Sequence, residues 1–188
     1  DAPTLALAVG LCAAALVWAW PTAGPRVIAA GAAAYVLAAP LVVFAARKTG
    51  VFQAIEEKVE LSWSMRMGYW RHAADWIGDH PFRGWGIDAS RMFGPGIALH
   101  PHNGALQVWL ELGLIGAMAM AVFFGVAVAR QARPKRDLAA AAAVAVAGAY
   151  LVMGAVSFGL WQEWWLAVGA VAATGCLALQ RAGVAEKA

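Results

Sequence analysis

Five stretches of this chain run for most of a bilayer's thickness with scarcely a charge: Leu5 to Trp20, Val27 to Ala46, Gly104 to Ala129, Leu138 to Gln162 and Trp164 to Gln180. A helix needs about 20 apolar residues to cross roughly 30 Å of hydrocarbon, where every backbone polar group must find a partner within the protein. The first run is somewhat short and the last is marginal; the third holds one acid, Glu111. Only Glu163 parts the last two, which predicts a tight hairpin. The expected fold is therefore all-α: a polytopic integral membrane protein of about five transmembrane helices, with residues 1–188 as a single membrane domain. At 62% hydrophobic and 13% charged residues, the surface cannot be that of a soluble domain, which carries about 25% charge. A disordered chain, a collagen-like fibre and a disulfide scaffold are excluded on the same grounds. The two cysteines, Cys12 and Cys176, lie in apolar runs and read as free, buried thiols. Ala- and Gly-rich segments such as 139–143 and 31–34 suit close helix approach in lipid. The opening Asp1-Ala2-Pro3-Thr4 has no initiator Met and no signal-peptide pattern, and the chain reads as a fragment with further parts expected upstream.

Orientation follows from the basic residues of the short loops, which are retained on the cytoplasmic side. Arg130, Arg133, Lys135 and Arg136 crowd one loop of eight residues, and Arg181 and Lys187 follow the last span. Alternation then puts Arg26 inside and residues 47–103 outside, together with Trp161, Glu163, Trp164 and Trp165 of the last hairpin. Arg47 and Lys48 oppose the rule beside a loop long enough to weaken it. The net charge of +3 is thus a matter of topology; no basic face for nucleic acid is visible, and membrane lipids are the expected surroundings. Within the outer segment, Phe52, Ile55, Val59 and Trp63, then Arg66, Trp70, Ala73 and Ile77, recur at helical spacing. They predict two amphipathic helices lying along the membrane surface and separated near Ser62 to Ser64. Pro81 ends the second, and Gly84-Trp85-Gly86 and Gly94-Pro95-Gly96 make turns back to the bilayer.

The densest chemistry is His100-Pro101-His102-Asn103 at the head of the third span. Pro101 favours an extended approach and Asn103 is a good N-cap for a helix over 104–129, whose free N–H groups would lie beside two imidazoles. Asn103, Gln107 and Glu111 follow at i, i+4 and i+8, one polar stripe on an apolar helix that must face protein or a water-filled cavity. The plainer alternative is that Asn103 only caps, Gln107 and Glu111 join helices, and the histidines sit in water. A zinc site of His100 and His102 with His72, His80, Asp79 or Asp88 lacks any tight ligand spacing, so no metal is expected. On the second amphipathic helix Arg66 and Trp70 are one turn apart, with Arg71 and His72 on the adjacent face. Arginine's fork suits a diphosphate; for Arg71, Arg83 and Arg91, phospholipid headgroups are an equal alternative. Trp161, Trp164 and Trp165 read first as an aromatic belt, with sugar stacking second. Gly113 and Gly116 read as close-packing positions.

Taken in order, Ser64-Met65-Arg66, Trp70, His80-Pro81-Phe82, Gly84-Trp85-Gly86, then residues 100–107 and Glu111-Leu112-Gly113-Leu114-Ile115-Gly116 resemble the O-antigen ligase and polymerase superfamily of bacterial membrane enzymes. His102-Asn103, nine residues and then Gly-x-x-Gly is similar to the family's ligase signature. The specific part lies between Ser64 and Gly116, under a third of the chain. The resemblance implies a C-type glycosyltransferase architecture in the bacterial inner membrane, multi-pass, with 47–103 as a large periplasmic loop over the active site. It implies an undecaprenyl-diphosphate-linked glycan as donor and a lipid A-core hydroxyl or a related glycan as acceptor. No metal and no cofactor are implied. By position His102 matches the catalytic histidine and Arg66 the arginine on the diphosphate. Asn103, Gln107, Glu111, His100, Arg71 and Trp70 would then line or orient the substrate site. The chemistry is compatible: a neutral imidazole can take the proton of an attacking hydroxyl, and cations stabilise a leaving diphosphate. The family's further arginine in an earlier outer loop has no counterpart in Asp1-Ala2-Pro3-Thr4, so this stretch alone is expected to be inactive. Alternatives are a polysaccharide polymerase with the same donor and, in another class, a transporter half or structural subunit. A transporter calls for broken helices or an internal repeat, and no repeat is visible.

Overall fold

The computed structural model describes residues 1–92 and 96–185, and among these it holds helices and turns with no strand. In chain order the helices are α1 Ala2–Ala19, α2 Gly24–Lys48, α3 Val51–Glu56, α4 Leu61–Asp79, α5 Ala89–Met92, α6 Gly104–Ala129, α7 Leu138–Val156 and α8 Glu163–Ala185. Five of them, α1, α2, α6, α7 and α8, are long and apolar enough to cross a membrane. The chain is a polytopic, all-helical membrane protein. Gly94, Pro95 and Lys187, used above for a turn and for orientation, lie outside the described residues.

Several boundaries move for local reasons. Helix α1 starts earlier than Leu5 because the Asp1 carboxylate accepts the Thr4 N–H at 3.1 Å and Pro3 suits a first turn. The separation between the amphipathic helices falls at residues 57–60, not at Ser62 to Ser64. Extended Glu60 is the N-cap of α4, which takes in both serines and Trp63. Serine is favoured at helix starts, and a short turn can keep apolar residues on one face, so periodicity alone did not mark the break. Helix α4 ends at Asp79, before Pro81, as expected. Helix α7 stops at Val156 instead of Gln162, because the backbone that follows is bonded elsewhere, as described below. Both cysteines are free, but Cys12 is exposed and Cys176 half-buried. In a membrane protein an apolar run faces lipid as readily as protein.

The chain divides into two compact units. The first comprises Asp1–Ala33, Val122–Met153 and Trp161–Ala188. Its core is built of small and β-branched side chains, Ala13, Val17, Ala29, Val128, Ala141 and Val144. Helix approach is close: a Cβ on Gly10 would lie 2.9 Å from the Ala145 carbonyl oxygen. The second comprises Ala34–Ala121 and Gly154–Leu160. Within it Pro40 interrupts the ladder of α2. Proline has no N–H, so the Val36 carbonyl four residues earlier loses its helical donor. The indole of Trp109 on α6 donates to that carbonyl at 2.8 Å, pinning α6 to α2. Arg71 pairs with Glu56 at 2.6 Å and lies over Phe52, which ties α4 to α3.

Candidate functional site

The head of α6 is held by a joint that begins at its middle. Gly113 has φ 62° and ψ −158°, a true break in the helix. Such a break cuts the bonds that Leu114 and Ile115 N–H would make to the Leu110 and Glu111 carbonyls. The turn after α4 enters the gap. Trp85 and Gly86 N–H donate to the Leu110 and Glu111 carbonyls, both at 2.9 Å, while the Pro81 and Phe82 carbonyls accept from Leu114 at 2.8 Å and Ile115 at 3.4 Å. Glycine is required on both sides of this joint. A Cβ on Gly113 would sit 2.5 Å from the Phe82 oxygen, and one on Gly84 would sit 2.5 Å from the Glu111 oxygen. A broken helix is what the transporter alternative calls for; here all four groups named above are taken up by the turn, leaving none of them for an ion or solute.

Between break and head runs the polar stripe. Gln107 is 2% exposed and Glu111 fully buried, so both face protein. Glu111 accepts from Ser90 Oγ at 3.0 Å and from Gln107 Nε2 at 3.1 Å. Gln107 Oε1 accepts the Leu160 N–H at 2.8 Å, which draws residues 157–160 onto α6 and explains why α7 ends where it does. Asn103 caps α6 as its residue type predicts, its Oδ1 accepting from Leu106 N at 3.0 Å and from the Tyr35 hydroxyl at 3.2 Å.

His102 departs from the extended stretch expected of it: its φ is 53°, a conformation uncommon outside glycine and found at strained functional positions. Three contacts hold it there. Trp70 Nε1 donates to the Pro101 carbonyl at 2.9 Å. The His102 N–H donates to His100 Nδ1 at 3.2 Å. His102 Nδ1 lies 2.8 Å from the Ser157 carbonyl. A carbonyl only accepts, so Nδ1 carries the proton, and in the neutral ring Nε2 holds the free lone pair. His100 is only 4% exposed rather than wet, and a Cβ on Gly159 would collide with its ring. Burial first, then the charges of His102 and Arg91, push the His100 pKa down to about 4. Burial also lowers that of His102; the Ser157 carbonyl opposes the shift and the Arg66 guanidinium adds to it. Both imidazoles are therefore neutral near pH 7.

Arg66 lies on α4 with its guanidinium carbon 4.9 Å from the centre of the Trp63 ring, and its charge is felt at His102. One turn on, the Tyr69 ring lies nearly parallel to the His102 ring, centroids 6.2 Å apart. The structure thus brings His102, His100, Asn103, Gln107, Glu111 and Trp70 into one network with Arg66 beside it, while Arg71 is engaged by Glu56. Among the described residues no three of His, Cys, Asp or Glu gather as a metal would need. Sequence reasoning missed Tyr35, Tyr69, Ser90 and the 157–160 turn. Tyr35 had a signal, a phenol in the middle of an otherwise apolar span. The turn acts through its backbone, which leaves no side-chain trace.

Against known proteins, a family model described as O-antigen ligase matches residues 1–121. A Rickettsia conorii protein named "Putative polysaccharide ligase" is 27% identical over 118 residues, 55% of this chain and 29% of its own. One so named in Rickettsia bellii is 36% identical over 74 residues, 38% of this chain and 17% of its own. The chain spans under a third of the length of the curated relatives it matches. No solved structure matches it.

Proposed function

We propose, on the premise that this chain belongs to the O-antigen ligase family, that it contributes the catalytic histidine and a diphosphate-binding arginine of a membrane glycosyltransferase. The donor is a glycan on undecaprenyl diphosphate and the acceptor a hydroxyl of lipid A-core or a related glycan. The site faces the periplasm from the bacterial inner membrane. His102 Nε2 takes the proton of the acceptor hydroxyl as its oxygen bonds to the anomeric carbon. The bond from that carbon to the diphosphate oxygen breaks, and the leaving diphosphate carries the electron pair away against Arg66.

The observation that supports this reading most is the His102 Nδ1 contact to the Ser157 carbonyl at 2.8 Å. It sets the tautomer in which the base points away from its anchor, as a general base requires. The depressed pKa keeps that base unprotonated at neutral pH. His100, Trp70 and Asn103 act on the His102 backbone and helix start; Gln107 and Glu111 act through the 157–160 turn. All five are positioning residues: the Trp70 indole N–H, His100 Nδ1, Asn103 Oδ1, both amide atoms of Gln107 and a Glu111 carboxylate oxygen already have partners.

The test is glycan transfer in cells that lack the family enzyme, complemented by the gene that carries this chain. A general base is worth about 10²–10⁴-fold, so His102→Ala loses transfer by that factor while lipid-linked donor accumulates. Arg66→Ala does likewise at equal membrane abundance. If both variants transfer normally, the assignment fails.

A further inference from the structure

A groove lies in the first unit, apart in sequence from the histidines. It runs between the start of α7 and the end of α8, with a volume of about 1030 Å³. Its lining combines apolar residues, Leu138, Ala142 and Leu177 among them, with the charged Arg133, Arg136, Arg181 and Asp137. The charged groups are partly preset. Arg133 donates to the Arg130 carbonyl at 2.6 Å and the Ala132 carbonyl at 3.1 Å. Arg136 lies over the Trp18 ring, 5.7 Å from its centre. The Asp137 carboxylate is committed to the N-terminus of α7, accepting from Ala140 N at 2.9 Å. Among the described residues no carboxylate pairs with any of the three arginines.

Retention of basic residues on one side of a membrane accounts for arginines in a loop; it does not account for a groove that they share with apolar side chains. The groove lies where two spans end, at residues 138 and 183, which places cations at headgroup depth and hydrocarbon below. Three arginines against one committed aspartate leave a surplus of positive charge. A ligand that fits has a phosphate above and acyl chain below. We propose that this groove binds an anionic glycerophospholipid, with the phosphate between Arg136 and Arg181 and an acyl chain along Leu138 and Leu177. The proposal stands independently of the transferase reading.

The test is native mass spectrometry of the purified, delipidated protein titrated with phosphatidylglycerol or phosphatidylcholine. Phosphatidylglycerol is retained in preference, and Arg136→Ala or Arg181→Ala each weakens its retention about fivefold, the contribution of one basic residue near an anionic surface. Arg26→Ala, at another helix end, leaves retention unchanged. Ala142→Trp fills the groove without altering charge and expels the lipid; an unchanged thermal melt without lipid shows that each variant is folded. Equal retention of the two lipids overturns the proposal, as does loss in Arg26→Ala equal to that in Arg181→Ala. Lipid retained by Ala142→Trp, or full competition by inorganic phosphate alone, overturns it too.

Discussion

Replacing Gly113 with alanine tests the joint that fixes the head of α6. At φ 62° and ψ −158° the position lies in a region that glycine alone occupies at ease, and holding another residue there costs about 1–3 kcal/mol. The added methyl meets backbone, the Phe82 oxygen at 2.5 Å and the Arg83 nitrogen at 2.6 Å, and backbone cannot rotate aside as a side chain would. Such overpacking adds about 1–3 kcal/mol, which brings the total to about 2–6 kcal/mol. Withdrawal of the turn is no cheaper. It would strand the Leu110 and Glu111 carbonyls and the Leu114 and Ile115 N–H groups, each at about 1–3 kcal/mol when buried. With roughly 2–4 °C per kcal/mol for a chain of this size, Gly113→Ala should lower the melting temperature in detergent by about 5–20 °C. Gly31→Ala is the control, since a Cβ there meets nothing within 4 Å; it should melt within a few degrees of the native chain. If the two variants melt together, the backbone joint is not a structural determinant and the account of α6 is wrong.

Three further predictions rest on groups already placed. Trp109→Phe strands the Val36 carbonyl and should cost about 1–3 kcal/mol; in a Pro40→Ala background, where position 40 regains an N–H, the cost should fall by at least half. A double-mutant cycle on melting temperature measures it, and equal costs in both backgrounds would dismiss the Pro40 explanation. His100 has a folded pKa of about 4 against an ordinary 6.5, so between those values the unfolded chain binds a proton that the folded chain refuses. Its stabilising contribution is complete above pH 6.5 and is lost as pH falls toward 4, by roughly 1–3 kcal/mol. His100→Gln should flatten that part of the melting-temperature profile, and an unchanged slope would count against it. The same logic puts the acid limb of transfer below pH 6.5 through His102, and Arg66→Gln, by removing a positive charge, should move the limb of its residual activity upward.

What could be read from the sequence divides along a physical line. The spans were legible because lipid admits only helices whose backbones are satisfied and whose side chains are apolar, and that rule acts residue by residue along the chain. Asn103 as a cap and Gln107 with Glu111 as a stripe were legible for the same reason, being local helix geometry. Gly113 was not: a glycine in an apolar span reads as a packing position, and only its dihedral angles reveal a break. Equally hidden were the Ser157 carbonyl, the Leu160 N–H and the Pro101 carbonyl, backbone groups that every residue carries and whose pairing depends on which distant segments meet.

The spacing from His102 to Gly113 acquires a mechanical reason from these contacts. Residues 104–112 form a short helical lever, with His102 at its N-terminal end and the Pro81–Gly86 turn locked into its C-terminal end. Gln107 and Glu111 lie along the lever and fasten it to Leu160 and Ser90. An inserted residue between His102 and Gly113 would rotate the stripe by about 100° and move His102 roughly 1.5 Å along the axis. It would break the Gln107 and Ser157 contacts together, although neither Gly-x-x-Gly nor His-Asn had changed. The length of the segment, more than any one side chain in it, is therefore what ties the glycine pair to the histidine.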